Sequence, residues 1–216
     1  MKRSDVEAYA EEIACALAPA CEEVALAGSL RREREDVGDA EAQRSVEIVA
    51  LPVWDTDLLG DREDHSSRLD ACLYGLLASG KLAWDPALLR RGPRYRRLII
   101  TKPGIPLDLF LADGENFGCI LAIRTGDAVF SRALVTERYR QFVDRAGNDV
   151  GGLRPRGMRQ ADGYLWDVSK EGRREIIPCR TEAHYLAALG VPYLHPRERD
   201  AEGVAKLHRM IAQGQR

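Results

Sequence analysis

The sequence contains no apolar run long enough to cross a membrane. A membrane-spanning helix needs about 20 consecutive apolar residues, so the pattern predicts a chain without such a helix. The first residues, MKRSDVEAYAEE, become acidic at once and lack the apolar core of a signal peptide. We therefore expect a cytoplasmic protein.

The sequence also lacks paired cysteine motifs. None of the five cysteines forms a C-x-x-C, and none has a histidine at the spacing of a zinc site. This absence argues against a zinc site and against the disulfide framework of a small secreted domain. We interpret them as buried free thiols; they are Cys15, Cys21, Cys72, Cys119 and Cys179.

The chain has no large excess of charge of either sign, since its formal net charge is −2. The charges are nevertheless unevenly distributed along it. Residues 1–120 carry 15 basic and 22 acidic side chains, whereas residues 121–216 carry 17 and 12. A metal-binding acidic half and a polyanion-binding basic half would produce this asymmetry. Ordinary variation of the surface would produce it too, so both interpretations stay open.

The most specific pattern is a glycine-serine turn after a short apolar strand predicted for residues 24–27. Gly28 allows the backbone to approach an anion closely, and Ser29 offers a hydroxyl and an N–H at the start of a helix. The guanidinium of Arg32 can bind phosphate oxygens with two parallel hydrogen bonds. The pattern predicts a triphosphate-binding turn, and the alternative is a plain serine helix cap with solvated arginines.

Carboxylates follow this turn and precede a second apolar strand, predicted for residues 48–51. Mg²⁺ takes few protein ligands and completes its octahedron with water and substrate oxygens, so such carboxylates would hold metals that bridge the same phosphates. Asp39 and Glu41 have the spacing that places two carboxylates on one face of a strand. Asp39 and Glu47 have the more strand-like flanks, but residues 40–45 must then loop out. We favour Asp39 with Glu47, and Glu41 stays open as the second ligand.

A β-hairpin is predicted after residue 97, with strands at residues 98–100 and 107–111 and a turn at residues 102–104. Asp108 lies among apolar residues of the second strand. Burying such a carboxylate is costly unless its charge is compensated, and a metal ion would compensate it. In the alternative arrangement, alternation along the strand places Asp108 on the solvent face.

The second half of the chain is rich in arginine. A charged helix is predicted for residues 127–146, and Thr181 is predicted to cap a later short helix. Between them, short strand patterns with Tyr164 and Trp166 are interleaved with basic residues. Clustered arginines beside aromatic side chains suit a nucleic-acid backbone, and they also suit a solvated hairpin. The candidate nucleic-acid-binding residues are Arg154, Arg156, Arg159, Arg173 and Arg174.

Together these motifs resemble the X family of DNA polymerases, within the nucleotidyltransferase superfamily. That family carries a Gly-Ser-x-Arg-Arg turn followed by Gly-Asp-x-Asp. Here the turn is Gly28-Ser29-Leu30-Arg31-Arg32, followed by Gly38-Asp39, and removing residues 40–45 would align Glu47 with the second carboxylate. The family's Thr-Gly element has its counterpart in Thr125-Gly126, although Ile123 and Arg124 replace the Tyr-Phe pair before it. The end of the family's thumb is similar to Leu189, Gly190, Pro192, Tyr193, Pro196, Arg197 and Glu198.

The resemblance implies an α+β fold. A nucleotidyltransferase palm, a mixed sheet with helices on one face, would occupy residues 1–115, and a small α/β thumb-like domain would occupy residues 116–216. No segment would be left for the amino-terminal lyase and DNA-grip domains of larger relatives.

The resemblance also implies a DNA-directed DNA polymerase that transfers a nucleotide from a dNTP to a DNA 3′-hydroxyl, in gap filling or repair. Asp39, Glu47 and Asp108 would be the catalytic metal ligands for two Mg²⁺ ions, or for Mn²⁺ in their place. Thr125 and Gly126 would contact the nucleotide, and primer or gapped DNA would be the partner of a monomeric enzyme. Two alternatives stay open: a nucleotidyltransferase with a non-DNA acceptor, and a catalytically impaired nucleic-acid-binding relative.

Overall fold

The computed structural model describes residues 3–33, 45–56, 62–87, 91–170 and 172–214. These residues fall into two compact units, one made of residues 3–30 and 45–113, the other of residues 31–33 and 114–214. Each unit has its own hydrophobic core. Among the described residues, no helix has both the length and the apolar character needed to cross a bilayer.

The first unit is built around a five-stranded mixed sheet. Its elements are α1 (Arg3–Leu17), β1 (Cys21–Leu26), α2 (Gly28–Arg31), β2 (Val46–Pro52), β3 (Trp54–Thr56), β4 (Arg62–Ser67), α3 (Arg68–Ala78), β5 (Leu82–Trp84), β6 (Tyr95–Ile100) and β7 (Ile105–Leu111). The strands of the sheet lie in the order β1-β2-β7-β6-β5, with β2 and β7 parallel and the other pairs antiparallel. Helices α1 and α3 contact each other and also contact the sheet, so the class is α+β.

In β2 and β7, every second side chain faces the helices, and the side chains between them face the other side of the sheet. Val46 and Ile48 of β2 and Leu107 and Leu109 of β7 are fully buried in the core that α1 and α3 complete. Successive strand residues point to opposite faces, so the residues between them lie on the other side of the sheet. Burying each of these aliphatic side chains is worth about 1.5–3 kcal/mol, which makes a slip of one residue costly.

The hairpin prediction is confirmed, because β6 and β7 pair in antiparallel register with Ile100 opposite Ile105. The structure extends its first strand back to Tyr95. Helix α3 begins at Arg68, since Ser67 caps it and residues 62–67 form β4. The Ser67 hydroxyl accepts from the backbone N–H of Asp70, and the Asp70 carboxylate accepts from that of Ser67, which is a capping box.

The second unit combines helices with small antiparallel sheets. Its elements are α4 (Phe117–Thr125), α5 (Ala128–Val135), β8 (Gln141–Val143), β9 (Asp149–Gly151), β10 (Met158–Ala161), β11 (Tyr164–Asp167), β12 (Glu175–Ile177), α6 (Glu182–Ala188) and α7 (Ala201–Ala212). Strands β10, β11 and β12 form a three-stranded sheet, and β8 pairs with β9. The core of this unit joins the four helices to these strands.

The long helix predicted for residues 127–146 is wrong beyond Val135. Asp127 caps α5 as its type suggests, accepting from the N–H of Phe130, but Thr136 is already extended. Further on, the Asp144 carboxylate accepts from the N–H groups of Ala146 and Asn148, which forms a tight turn between β8 and β9. Aspartate side chains that hydrogen-bond to nearby backbone favour turns over helix interiors.

Candidate functional site

Three charged side chains lie in a row across the first unit's sheet. Glu47 on β2 is directly opposite Asp108 on the parallel strand β7, and Asp108 is directly opposite Arg97 on β6. Residues paired in this way project from the same face of a sheet. The structure therefore brings together two of the predicted carboxylates, although 61 positions separate them in the sequence.

Asp108 is buried, with 8% of its surface exposed, so the arrangement in which it faces solvent is wrong. Its Oδ1 accepts from the hydroxyl of Tyr95 at 2.5 Å, and its Oδ2 accepts from Nη1 of Arg97 at 2.5 Å. Nε of Arg97 also donates to the buried Asp85 at 3.2 Å. A buried carboxylate is tolerated when it is paired and hydrogen-bonded, and these groups supply that compensation.

The burial and hydrogen bonds around Asp108 shift the pKa values of Tyr95 and Arg97. Burial and the hydrogen bond to Asp108 raise the pKa of Tyr95 to about 12, so its hydroxyl remains a donor at neutral pH. Burial alone would lower the pKa of Arg97, but its bonds to Asp108 and Asp85 outweigh that effect and raise it. Two carboxylates therefore share one permanently charged guanidinium.

Gly28 adjoins this row through Glu47. Its φ of +64° lies in the left-handed region, and a Cβ at this position would lie 2.0 Å from Oε2 of Glu47. The N–H of Ala27 donates to the carbonyl of Glu47 at 2.8 Å. Only glycine combines this backbone angle with so close a contact. The predicted glycine-serine turn and the carboxylate row are thus parts of one site, in which Ser29 follows Gly28 in the single-turn helix α2.

The carboxylates of Glu47 and Asp108 have the chemistry of an Mg²⁺ site, since Mg²⁺ prefers hard oxygen ligands. A carboxylate oxygen has more than one lone pair, so Asp108 can accept from Tyr95 and Arg97 and still ligate a cation. Within the described part of the chain, no group of three or more histidine, cysteine, aspartate or glutamate side chains could hold a metal. Asp39 and Glu41 lie outside the described residues, so the choice between Glu41 and Glu47 stays open.

In the second unit, the two arginines of the turn are held by α4 and α6. Nη1 of Arg31 donates to the hydroxyl of Thr125 and to Oε1 of Glu182, both at 2.8 Å, and Nη2 donates to Oε2 of Glu182 at 2.6 Å. This is a two-pronged arginine-carboxylate pair. Arg32 donates to the carbonyl of Thr125 at 2.6 Å. Its predicted role in triphosphate binding stays a prediction.

Glu182 is shared with a second arginine. Arg199 is fully buried. It donates from Nη1 to Oε1 of Glu182 and from Nε to the carbonyl of Leu194, the latter at 3.0 Å. Its Nη2 is buried without a hydrogen-bond partner. The predicted cap of α6 is confirmed, because the Thr181 hydroxyl accepts from the N–H of His184. The sequence pattern therefore located the helix start but not the ionic role of Glu182.

The Thr-Gly element forms the carboxyl end of α4. Thr125 is fully buried, and its hydroxyl and carbonyl bind Arg31 and Arg32. A Cβ on Gly126 would lie 2.6 Å from the ring of Phe130, so a side chain does not fit there. These contacts explain both residue types structurally, and nucleotide binding by Thr125 and Gly126 stays a prediction.

The arginines predicted to bind nucleic acid differ in their surroundings. Arg154 is half-buried and donates from Nε to the carbonyl of Val135 at 2.9 Å. The other four, Arg156, Arg159, Arg173 and Arg174, are exposed. Exposure suits contact with a phosphate backbone and equally suits a solvated surface, so this role also stays a prediction.

Sequence reasoning missed Tyr95, Arg97, Asp85 and Arg199. A usable signal existed for Arg97, because a hairpin with Ile100 opposite Ile105 places residue 97 opposite residue 108. The predicted strand began only at Leu98, so it left out residue 97 and its pairing with residue 108. For Arg199 we find no comparable local signal, since its partner Glu182 is distant in sequence.

No model of a known protein family matches this chain, and no curated protein matches it either.

Proposed function

We propose that this protein is a nucleotidyltransferase of the family X DNA polymerase type, which transfers a nucleotide from a dNTP to a DNA 3′-hydroxyl. The observation that supports the proposal most strongly is the placement of Glu47 beside Asp108, against the glycine of the Gly28-Ser29 turn. Two adjacent carboxylates beside a turn where a backbone can approach phosphate closely are the parts that nucleotidyl transfer requires.

In this proposal each residue has a defined task. Glu47 and Asp108, with Asp39, would hold Mg²⁺, and Asp108 would accept the proton of the attacking hydroxyl. Gly28 and Ser29 would contact the triphosphate through backbone and hydroxyl groups. Arg97 and Tyr95 would keep the Asp108 carboxylate in one orientation through the two hydrogen bonds described above. When bound, Mg²⁺ would neutralise phosphate charge and favour ionisation of the hydroxyl.

The first unit would then be the palm and the second the thumb-like domain. The four exposed arginines of the second unit would contact the phosphates of a primer or gapped duplex, in gap filling or repair. Arg159 lies on β10, Arg156 shortly before it, and Arg173 and Arg174 directly before β12.

The direct test is primer extension on gapped DNA with dNTPs and Mg²⁺. Asp108→Ala should abolish incorporation while triphosphate binding stays largely intact, and Glu47→Gln should lower incorporation by at least two orders of magnitude, roughly the loss of one transition-state charge contact. Glu23→Gln, an exposed carboxylate of the same sheet, is the matched control and should extend primers like the wild type. Undiminished extension by the Asp108→Ala variant would refute the assignment.

One observation favours a second candidate, a DNA-binding relative with impaired catalysis. Arg97 neutralises Asp108, so a cation has to share that carboxylate with a guanidinium. This candidate predicts DNA binding without Mg²⁺-dependent turnover. Extension assays with DNA, RNA and nucleotide acceptors separate this candidate, which extends none of them, from a nucleotidyltransferase that uses an acceptor other than DNA.

A further inference from the structure

A cavity of about 730 Å³ opens on the second unit, between the end of α6 and the end of α7. Ala183 and Ala187 of α6 and Ile211 of α7 form part of its apolar wall. Among the described residues that line it, only Arg138 carries a charge. The volume lies within the range of about 300–1,000 Å³ that is usual for ligand-binding cavities. The cavity is therefore large enough to hold apolar groups beside one guanidinium.

Arg138 is held by main-chain carbonyls instead of a carboxylate. Its Nη2 donates to the carbonyl of Leu153 at 3.1 Å and to that of Leu189, at the end of α6, at 2.7 Å. A cation is favoured beside the last carbonyls of a helix, so these bonds fix the guanidinium in position. No acidic side chain of the described residues pairs with it, and its Nε is buried without a hydrogen bond. Arg138 therefore presents a fixed positive charge that has no counter-ion in the described part of the chain.

Arg138 also lines a second cavity, of about 470 Å³. His208 of α7 lines this second cavity, and Ile211, three positions later, lines the first. Residues three apart lie on the same side of a helix, so the two cavities follow one side of α7 and share the guanidinium. The described residues that line the second cavity, none of them acidic, are Arg138, Tyr139, Gln141, Gly151 and His208.

Two exposed tyrosines belong to these cavities, Tyr139 to the second and Tyr193 to the first. They are two of the four large apolar side chains that are exposed within the described ranges. The guanidinium of Arg199 lies 5.3 Å from the ring centre of Tyr193, and this cation–π contact holds the ring while 52% of the residue stays exposed. Tyrosine and arginine are enriched among the residues that contribute most to binding at protein interfaces. The two cavities therefore have residue types that are typical of a protein-binding surface.

We propose that this surface binds a segment of a partner protein in which an aspartate or glutamate is flanked by apolar side chains. The carboxylate would pair with Arg138, and the flanking side chains would enter the apolar cavity. The apolar wall argues against a nucleic acid, because interfaces with nucleic acids are more polar and more positively charged. The inference does not rest on the proposed function, since none of the described residues assigned to catalysis or to DNA lines either cavity.

The test selects random peptides displayed on phage against the full wild-type chain, after removal of phage that bind the Ala187→Glu variant. Ala187 is exposed on α6 and lines the apolar cavity, so a glutamate there fills the cavity and repels a carboxylate while replacing only a methyl group. The selected peptides should share an aspartate or glutamate flanked by apolar residues. Failure to enrich any peptide, or enrichment of peptides without an acidic residue, overturns the proposal.

Binding of a synthetic copy of the selected peptide, measured by fluorescence anisotropy, then tests the charge pair. Arg138→Gln should weaken binding roughly tenfold or more, and so should replacement of the peptide's acidic residue with its amide. The two losses should not add when both changes are combined, because they break the same ion pair. Arg209→Gln, an exposed arginine of α7 that lines neither cavity, is the matched control and should bind like the wild type. Equal binding by the Arg138→Gln and Arg209→Gln variants contradicts the proposal.

A second variant separates a lost contact from a lost fold, since Arg138 also holds the carbonyls of Leu153 and Leu189. Ala183→Glu keeps those bonds, because Ala183 is exposed on α6 and lines the same cavity. This variant should unfold at the wild-type temperature and still lose peptide binding, and full binding by it overturns the proposal. Sedimentation velocity tests the other occupant. A wild-type dimer that Ala183→Glu dissociates would assign the surface to a second copy of the chain and would also overturn the proposal.

Discussion

Each unit of the molecule contains an ionic cluster in which two side chains of one charge share a central side chain of the other, and the central charge differs between the two units. In the first unit Asp85 and Asp108 share Arg97. In the second unit Arg31 and Arg199 share Glu182. Each cluster also includes one hydroxyl, from Tyr95 and Thr125 respectively.

The difference indicates which cluster suits a cation. Two carboxylates meet at Arg97, and Glu47 lies beside Asp108, so the first cluster favours a cation. Two guanidiniums meet at Glu182 and would repel a further cation, and Arg31 also binds Thr125 at the end of α4. The proposed metal-dependent catalysis would therefore belong to the first cluster, and we expect a structural role for the second; the following changes test that division.

The largest effect is expected from Glu182→Gln, which removes the single carboxylate between two arginines. Breaking a buried ion pair and leaving charges uncompensated costs about 3–5 kcal/mol. The free energy of unfolding from urea denaturation measures the loss. The control is Lys206→Gln, which breaks an exposed pair with Glu198 and should cost less than about 1 kcal/mol. Equal losses in the two variants would contradict the structural role of Glu182.

Arg97→Met should cost about 3 kcal/mol at neutral pH, because it leaves Asp85 and Asp108 buried without their shared cation. Millimolar Mg²⁺ should restore part of this loss, since a cation can replace the guanidinium charge. Thermal unfolding with and without Mg²⁺ measures the rescue. The Glu182→Gln variant should show none, and an equal response of both variants would break the comparison.

Asp70→Asn probes a third pair, in which one carboxylate meets one guanidinium. Burial would raise the pKa of Asp70, but hydrogen bonds from Ser67 and the contact with Arg96 at 2.5 Å outweigh it and lower the pKa. A depressed carboxylate pKa stabilises the protein at neutral pH, and that contribution disappears as the pH falls below about 4. The free energy of unfolding of the variant should be about 1 kcal/mol lower than that of the wild type at pH 7, and the two should be equal well below pH 4. A loss that is independent of pH would show that the charge of Asp70 is irrelevant.

The smallest effect concerns Tyr95, whose ionisation leaves stability at neutral pH unchanged. Its pKa is raised to about 12 by burial and by Asp108, so its stabilising contribution is fully present below pH 10 and is lost as the pH rises through 12. Ultraviolet difference spectra above pH 10, compared with those of Tyr95→Phe, isolate this titration. Asp108→Asn should lower the pKa of Tyr95, and an unchanged value would contradict the hydrogen bond.

Local features of the fold were predictable because their causes lie within a few residues. The turn between β6 and β7, the caps at Asp127 and Thr181 and the alternation along β7 each depend on neighbouring side chains. The end of α5 was missed because helical spacing of apolar residues says nothing about where a turn begins. The burial of Asp108 was left open because it depends on Arg97, a residue on another strand.

The sequence by itself determined the local units: a strand leading to Gly28, an acidic residue within an apolar strand, and helices with defined caps. Only the tertiary structure decided which charges meet. Parallel pairing of β2 with β7 places Glu47 against Asp108, and the packing of α4 against α6 brings Thr125 and Glu182 together at Arg31. These pairings join residues about sixty positions apart, and the burial of each unit's apolar core, rather than any local preference, sets their register.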